Sequence, residues 1–253
     1  MKGVVNWHIG RCGSSVLGSL LAQHSHLAYS NEIYSRYMPR RRGNQVLPSL
    51  GQVLDSAREG LDRPFHLFEV KYLAEQNIGL YPGLSRLDWL QFFISKGYSY
   101  HLVMRRRNGL RRIVSHLRAA KTGQYVVNSV RQPQPPLKVE VSLESIVHGF
   151  ASRSLLEWLE IYELGHQEMM SAVKDRSVND SSISFLELTY EDHIQNDPIK
   201  AYRMVCEFLS VPCESVDVRY AAINSGLLID LISNFYAVCD CLSNTRFEWM
   251  LEI

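Results

Sequence analysis

One short stretch near the N-terminus restricts the folds open to this chain. Val4 to Ile9 is apolar and β-prone, Gly10 to Ser15 is a glycine-containing turn, and Val16 to Gln23 carries leucines on one helical face. A strand feeding a tight loop and then a helix is the opening of a βα unit. The same alternation continues. Leu27 to Asn31, Phe65 to Tyr72, Tyr98 to Met104 and Ser184 to Thr189 read as further strands. Helical patterns fall over Val53 to Leu61, Leu87 to Lys96, Leu110 to Lys121 and Asp197 to Leu209, and as one long or two short helices over Leu143 to Lys174. Gly97 suits a helix end and Pro198 a helix start. A further helix is expected in the tail after Ile223. Pro39 to Pro48 and the proline-rich stretch Arg131 to Lys138 read as loops, the second a candidate lid.

Strands alternating with helices imply a central parallel sheet flanked by helices, an α/β fold. The length of 253 residues permits one large domain or two small ones. With no internal repeat and no shift in composition to mark a boundary, residues 1–253 are read as a single domain.

Charge excludes the broad electrostatic functions. The net charge is +1, so bulk charge argues for neither nucleic acid nor an anionic membrane as partner, and anion binding has to come from local clusters. The five cysteines, Cys12, Cys206, Cys213, Cys239 and Cys241, form no CxxC pair and no zinc spacing, and read as reduced structural thiols. No apolar run approaches the roughly 18 residues that span a bilayer, and the polar N-terminus does not read as a signal peptide. A cytoplasmic protein is expected, its oligomeric state left open.

Two motifs carry chemistry. In Gly10-Arg11-Cys12-Gly13-Ser14-Ser15, small residues let backbone N–H groups converge on an anion, and the helix N-terminus behind them adds a favourable partial charge. Arg11 supplies a fixed cation, and Ser14 and Ser15 supply hydroxyls. This is not a Walker A loop, because its lysine is missing. The second motif runs from Arg105 to Ser115, leaving a strand and opening a helix. Arg107 and Ser115, eight residues apart, are suited to one phosphate. Both motifs fall at the carboxyl ends of expected parallel strands, where open α/β sheets bind ligands. A ligand with two separated phosphate-like groups needs such a pair, and PAPS (3′-phosphoadenosine-5′-phosphosulfate) is one.

The segment GRCGSSVLGSLL resembles the 5′-phosphosulfate loop of PAPS-dependent sulfotransferases, and RRRNGLRRIVSHLRA resembles their 3′-phosphate motif. FEVKYL at 68–73, LTYEDHIQNDP at 188–198 and NTRFEWML at 244–251 are similar to segments of the bacterial and carbohydrate-type branch. The resemblance implies a P-loop-like sulfotransferase fold and transfer of a sulfuryl group from PAPS to a hydroxyl or amine of a small acceptor (a glycan, lipid or specialised metabolite), releasing PAP (3′-phosphoadenosine 5′-phosphate). No metal is required. The chain departs from the animal cytosolic enzymes in carrying Arg11 for the loop lysine, and Val70-Lys71-Tyr72-Leu73 where a catalytic histidine would stand.

On this resemblance Arg11, Cys12, Gly13, Ser14 and Ser15 hold the phosphosulfate, while Arg107, Ser115 and Arg246 serve the 3′-phosphate side. Glu32 is the expected base, its pKa raised toward neutrality by partial burial, and Lys71 contacts the sulfuryl group or the acceptor. His66, Glu69 and His101 are rival bases that read more simply as satisfied strand residues. Tyr190-Glu191-Asp192 is expected to cap the following helix, and Arg40 to Arg42 to be solvated. The alternatives are an ATP-dependent small-molecule kinase and a non-catalytic RNA-binding protein using the arginines of 105–118. Acceptor recognition is assigned to loops 36–60 and 123–142.

Overall fold

A computed structural model describes residues 1–125, 137–220 and 226–252; most of the expected lid, Arg131 to Lys138, lies outside them. In chain order the elements are β1 (Lys2–His8), α1 (Ser14–Leu21), β2 (Leu27–Tyr29), α2 (Met38–Arg42), α3 (Leu50–Arg58), β3 (Phe65–Lys71), α4 (Arg86–Ser95), β4 (Tyr98–Arg105) and α5 (Gly109–Thr122). They continue with β5 (Ile146–His148), β6 (Ala151–Arg153), α6 (Leu155–Asn179), β7 (Ser184–Thr189), α7 (Tyr190–His193), α8 (Pro198–Leu209), α9 (Leu228–Leu231) and α10 (Phe235–Leu242).

Five strands form one parallel sheet in the order β2-β3-β1-β4-β7, with β1 at its centre between β3 and β4. Helices cover both faces, as the alternation of elements predicts. Side chains of a strand point alternately to the two faces, and β1 shows what each face wants. Val5 and Trp7 enter the larger core, with Val70, Val103, Trp89, Phe93 and Trp158. Val4 enters the smaller core under α1 and α8, with Leu17, Leu102 and Tyr202. On that same face Asn6 and His8 follow Val4, fully buried. The apolar stripe thus turns polar as the strand nears its carboxyl end.

Several elements end where their chemistry says they should. Capping boxes start α3 (Ser49 with Gln52), α4 (Ser85 with Asp88) and α6 (Ser154 with Glu157), each worth about 1 kcal/mol. The Asp197 side chain caps α8 just ahead of Pro198. Two expectations are corrected. The helix read from Leu143 starts only at Leu155, because Ile146–His148 and Ala151–Arg153 pair as a short antiparallel hairpin before the Ser154 cap. The first part of the expected loop, residues 39–42, instead belongs to the short helix α2, with Pro39 in its first turn.

Candidate active site

The loop between β1 and α1 is built for convergence. Gly10, Arg11 and Gly13 all take positive φ, at 77°, 57° and 87°. Gly13 is obligatory twice over, since a Cβ there would lie 2.8 Å from Ile194 Cγ2 and 3.0 Å from Tyr190 Cδ2. Gly13 also stands at the N-cap of α1, with no side chain to satisfy the first-turn N–H groups. Among the described residues, none of the N–H groups of Arg11 to Ser15 donates to a protein acceptor. Their dipoles and the helix end suit an anion. Ser14 and Ser15 line the adjacent cavity, of about 390 Å³, whereas the Cys12 side chain turns into the smaller core and leaves only its backbone for a ligand.

Arg11 reaches the middle of α5 and the segment that follows it. Its Nε donates to Ser115 Oγ at 3.0 Å and its Nη1 to the Tyr125 carbonyl at 2.8 Å. The loop cation and Ser115, drawn from the two separate motifs, therefore meet. Arg107 does not join them. Its guanidinium is held bidentately by Asp192, at 2.6 and 2.9 Å, and it lines a second cavity of about 240 Å³ with Arg105, Arg106, Tyr162 and Glu163. Arg107 and Ser115, expected to serve one phosphate, thus have different partners here, Asp192 and Arg11. Arg246 pairs with Glu163 at 3.3 Å, which places it beside that second cavity. Ile9, the residue after β1, lines both cavities.

Asp192 and Glu191 serve this arrangement rather than capping α8. Glu191 accepts from the backbone N–H groups of Arg107 and Asn108, both at 3.0 Å, fixing the turn into α5. Asn108 in turn caps α5 by accepting from the Arg111 N–H at 2.9 Å. The basic run is also less solvated than its sequence suggests. Arg106 is buried with its guanidinium 4.4 Å from the Tyr190 ring, and Arg112 is wholly buried.

Glu32 and Lys71 line the same larger cavity as Ser14 and Ser15. Lys71 ends β3, and a Cβ on Gly10 would come within 3.3 Å of its Cε, so its stem passes close over the loop. Its Nζ lies 2.6 Å from Glu32 Oε2. Burial pushes the Glu32 carboxyl up, but Lys71 and His8 outweigh it and hold it at about 2. The expectation of a raised pKa is therefore corrected: the Glu32 carboxylate is ionised in this arrangement and is a weak base while Lys71 stays on it.

His8 is the residue that sequence reasoning missed. One histidine inside an apolar strand looks like core, yet its place directly before Ile9-Gly10 was a signal. Its Nδ1 accepts from the Gly10 N–H at 2.9 Å, which puts its proton on Nε2, 3.1 Å from Glu69 Oε2 and 3.9 Å from Glu32 Oε1. Burial works against a second proton on this ring and Glu69 works for it, with a net upward pull. The Gly10 bond opposes that uptake, because it uses the Nδ1 lone pair. Glu69 also accepts from Tyr29 Oη at 2.8 Å and from Asn6 Nδ2 at 3.4 Å. His8, Glu32 and Glu69 bring three possible metal-ligand atoms together. With Nδ1 taken by Gly10 and Lys71 on Glu32, this donor set as it stands serves a proton rather than a cation.

The two histidine rivals are buried strand residues; His66 is bonded at both ring nitrogens, and His101 at Nδ1 only, its Nε2 buried without a partner. His66 bonds Ser30 Oγ at 2.8 Å and contacts the Tyr98 hydroxyl, and burial lowers its pKa to about 4. His101 Nδ1 accepts from Trp7 Nε1 at 3.1 Å, and burial lowers it to about 3. The rest of the cavity wall comes from outside the sheet. Ser35, Met38 and Arg42 belong to the segment between β2 and β3, and Arg42 donates to the Gly149 carbonyl of the hairpin turn at 2.9 Å. The expected solvated Arg42 is therefore part of the cavity rim. His116 and His148 complete the wall, with burial lowering the pKa of both.

No protein-family model matches this chain, and no curated protein matches it significantly. Among solved structures, the fold is similar to that of a sulfotransferase from Alicyclobacillus acidocaldarius. The TM-score is 0.51 and the identity 13%, over 99% of this chain and 96% of that one. The sulfotransferase domain from the curacin biosynthetic pathway aligns with a TM-score of 0.45 and 14% identity, over 85% of this chain and 76% of that one. With the first of these, the chain shares an α/β fold built on a five-stranded parallel sheet flanked by helices.

Proposed function

We propose that residues 1–253 form one sulfotransferase domain that moves a sulfuryl group from PAPS to a hydroxyl or amine of a small acceptor. The observation that carries this reading is the unpartnered run of N–H groups from Arg11 to Ser15, beside a cavity that Ser14, Ser15, Glu32 and Lys71 line together. An anion cradle beside a carboxylate and an ammonium matches what the transfer needs: a held phosphosulfate, a proton acceptor, and a cation for the charge that develops on the leaving side. The fold shared with a sulfotransferase agrees with it.

The donor's phosphosulfate would be held by the N–H groups of the loop, the Ser14 and Ser15 hydroxyls and Arg11. Arg107 and Arg246, both at the second cavity, suit its 3′-phosphate end; Ile9 then stands between the two halves of the donor site. In the reaction the acceptor oxygen or nitrogen bonds to sulfur, the bridging S–O bond breaks, and PAP leaves with the electron pair. The acceptor proton passes to Glu32. A carboxylate held at about 2 takes that proton poorly. Lys71 resolves this by shifting its ammonium from Glu32 toward the sulfuryl oxygens, which returns basicity to Glu32 as it steadies the transferring group.

Burial of Arg106 and Arg112, and the pairing of Arg107 with Asp192, leave little of the 105–112 run as a solvated face for RNA. The missing Walker lysine speaks against an ATP-dependent kinase. We propose a soluble, cytoplasmic enzyme acting on a small molecule; among the described residues no helix is long and apolar enough to cross a membrane.

Thermal shifts with PAP, AMP and Mg·ATP at matched concentrations test the reading. A ligand at about 100 times its Kd stabilises the fold by roughly 2.7 kcal/mol. A rise in Tm with PAP, larger than with AMP and indifferent to metal, is expected. A rise with Mg·ATP and none with PAP overturns the proposal.

A further inference from the structure

Arg112 lies in α5, fully buried, and makes no ion pair with a carboxylate among the described residues. Its shortest bonds go instead to the loop backbone, with Nη2 also 3.3 Å from His148 Nε2. Nε donates to the Gly10 carbonyl at 3.0 Å and Nη2 to the Ile9 carbonyl, while Tyr162 packs with its ring centre 3.9 Å from the guanidinium carbon. Gln76 Nε2 reinforces the same contact, donating to the Ile9 carbonyl at 3.1 Å. Nη1 is buried without a partner.

We propose that Arg112 is a positioning residue for the anion loop, a buried brace that turns its first carbonyls inward and so commits its N–H groups to the bound phosphosulfate. The inference rests on the PAPS reading above. Two physical points support it. First, Gly10 and Arg11 both hold positive φ, and glycine-containing peptide units at such positions reorient easily. A flip of the Gly10–Arg11 peptide would aim a carbonyl oxygen at the anion; two arginine bonds on successive carbonyls oppose it. Second, a buried cation lacking a carboxylate is costly unless another charge compensates it. The anion on the far side of the loop supplies that charge, so brace and ligand support each other.

The test separates this role from plain stability by using two ligands on folded protein. PAP engages the loop through its 5′-phosphate, whereas adenosine 3′-monophosphate lacks that group. Calorimetric titration of the native protein comes first, and failure to bind PAP there overturns the PAPS reading and the brace with it. Given PAP binding, Arg112→Met should weaken PAP on the order of 30-fold, as expected for lost hydrogen bonds from a charged donor. Affinity for adenosine 3′-monophosphate should stay unchanged, and Arg112→Lys should restore part of the loss. Equal weakening of both ligands, or none of either, overturns the brace while leaving the PAPS reading standing. If circular dichroism shows Arg112→Met unfolded, Gln76→Met carries the same comparison. Loss of its neutral bond to Ile9 should weaken PAP about threefold, with the monophosphate unaffected, and equal effects on the two ligands again overturn the proposal.

Discussion

Lys71 and Glu32, 39 residues apart in sequence, meet through a 2.6 Å contact between Nζ and Oε2 across the mouth of the anion loop. Each is three-quarters buried. While it lasts, the contact keeps the carboxylate ionised and weakly basic, and ties its chemistry to the position of one ammonium.

Replacing the carboxylate tests its role. Glu32→Gln keeps the shape and hydrogen-bonding capacity of the side chain but cannot take a proton. Turnover should fall by roughly 10²–10⁴-fold, the usual size of a general-base contribution. PAP affinity, measured by calorimetry, should change little. Undiminished turnover would remove Glu32 from the mechanism.

The lysine sets the pH dependence. In the native protein Glu32 titrates at about 2; Lys71→Ala removes the main pull holding it down and lets burial raise it, against His8 and Ser35 alone. The acid limb of kcat/KM should therefore move upward by more than about one pH unit, as read from initial rates across pH. Stability has the matching sign. A depressed folded pKa stabilises the fold above the unfolded value of about 4.3, and this contribution fades as pH falls toward 2. Urea midpoints of native protein and Lys71→Ala should thus draw together as pH falls from about 4 and converge only below about pH 2. A parallel offset at all pH values would contradict the assignment.

Asp192 competes for Arg107. Asp192→Asn removes the bidentate ion pair without emptying the space, and should strengthen PAP binding by about two- to fivefold, the worth of an exposed pair. Arg107→Ala should weaken PAP and leave AMP almost unaffected. Parallel changes for PAP and AMP would detach Arg107 from the 3′-phosphate.

Glycine 13 can be judged against a control. Gly60 also holds positive φ, at 72°, but a Cβ there would meet nothing within 4 Å. Gly60→Ala should cost only backbone strain, about 1–2 kcal/mol. Gly13→Ala adds the clash with Ile194 and Tyr190 and should lower the urea midpoint further while abolishing the PAP-induced rise in Tm.

Much of the fold was legible because strands and helices leave strong local signals. The parallel strands at 65, 98 and 184 begin where apolar runs follow Pro64, Gly97 and the turn after Asp180. The hairpin at 146–153 was missed because its apolar residues coincidentally fit helical spacing; the Ser154–Glu157 capping box held the true start of α6. In the site, the loop was readable because its glycines have a conformational reason. The Lys71–Glu32 and Arg107–Asp192 contacts were not, since each joins residues that only the sheet order brings together. Arg112 sat within a basic run, yet it stands three residues after buried Gly109 and three before buried Ser115, on the inward stripe of α5.

The rim formed by Ser35, Met38, Arg42 and Gly149 has an evolutionary consequence. These residues hang on the β2–β3 crossover and the hairpin turn, while the cradle of Gly10 to Ser15 is anchored in the central strand. Under the proposed function, acceptor specificity and donor handling would be heritable separately, since insertions or exchanges at the rim leave the central-strand loop beneath untouched. A library randomised at 35, 38 and 42 is the natural place to look for altered acceptors.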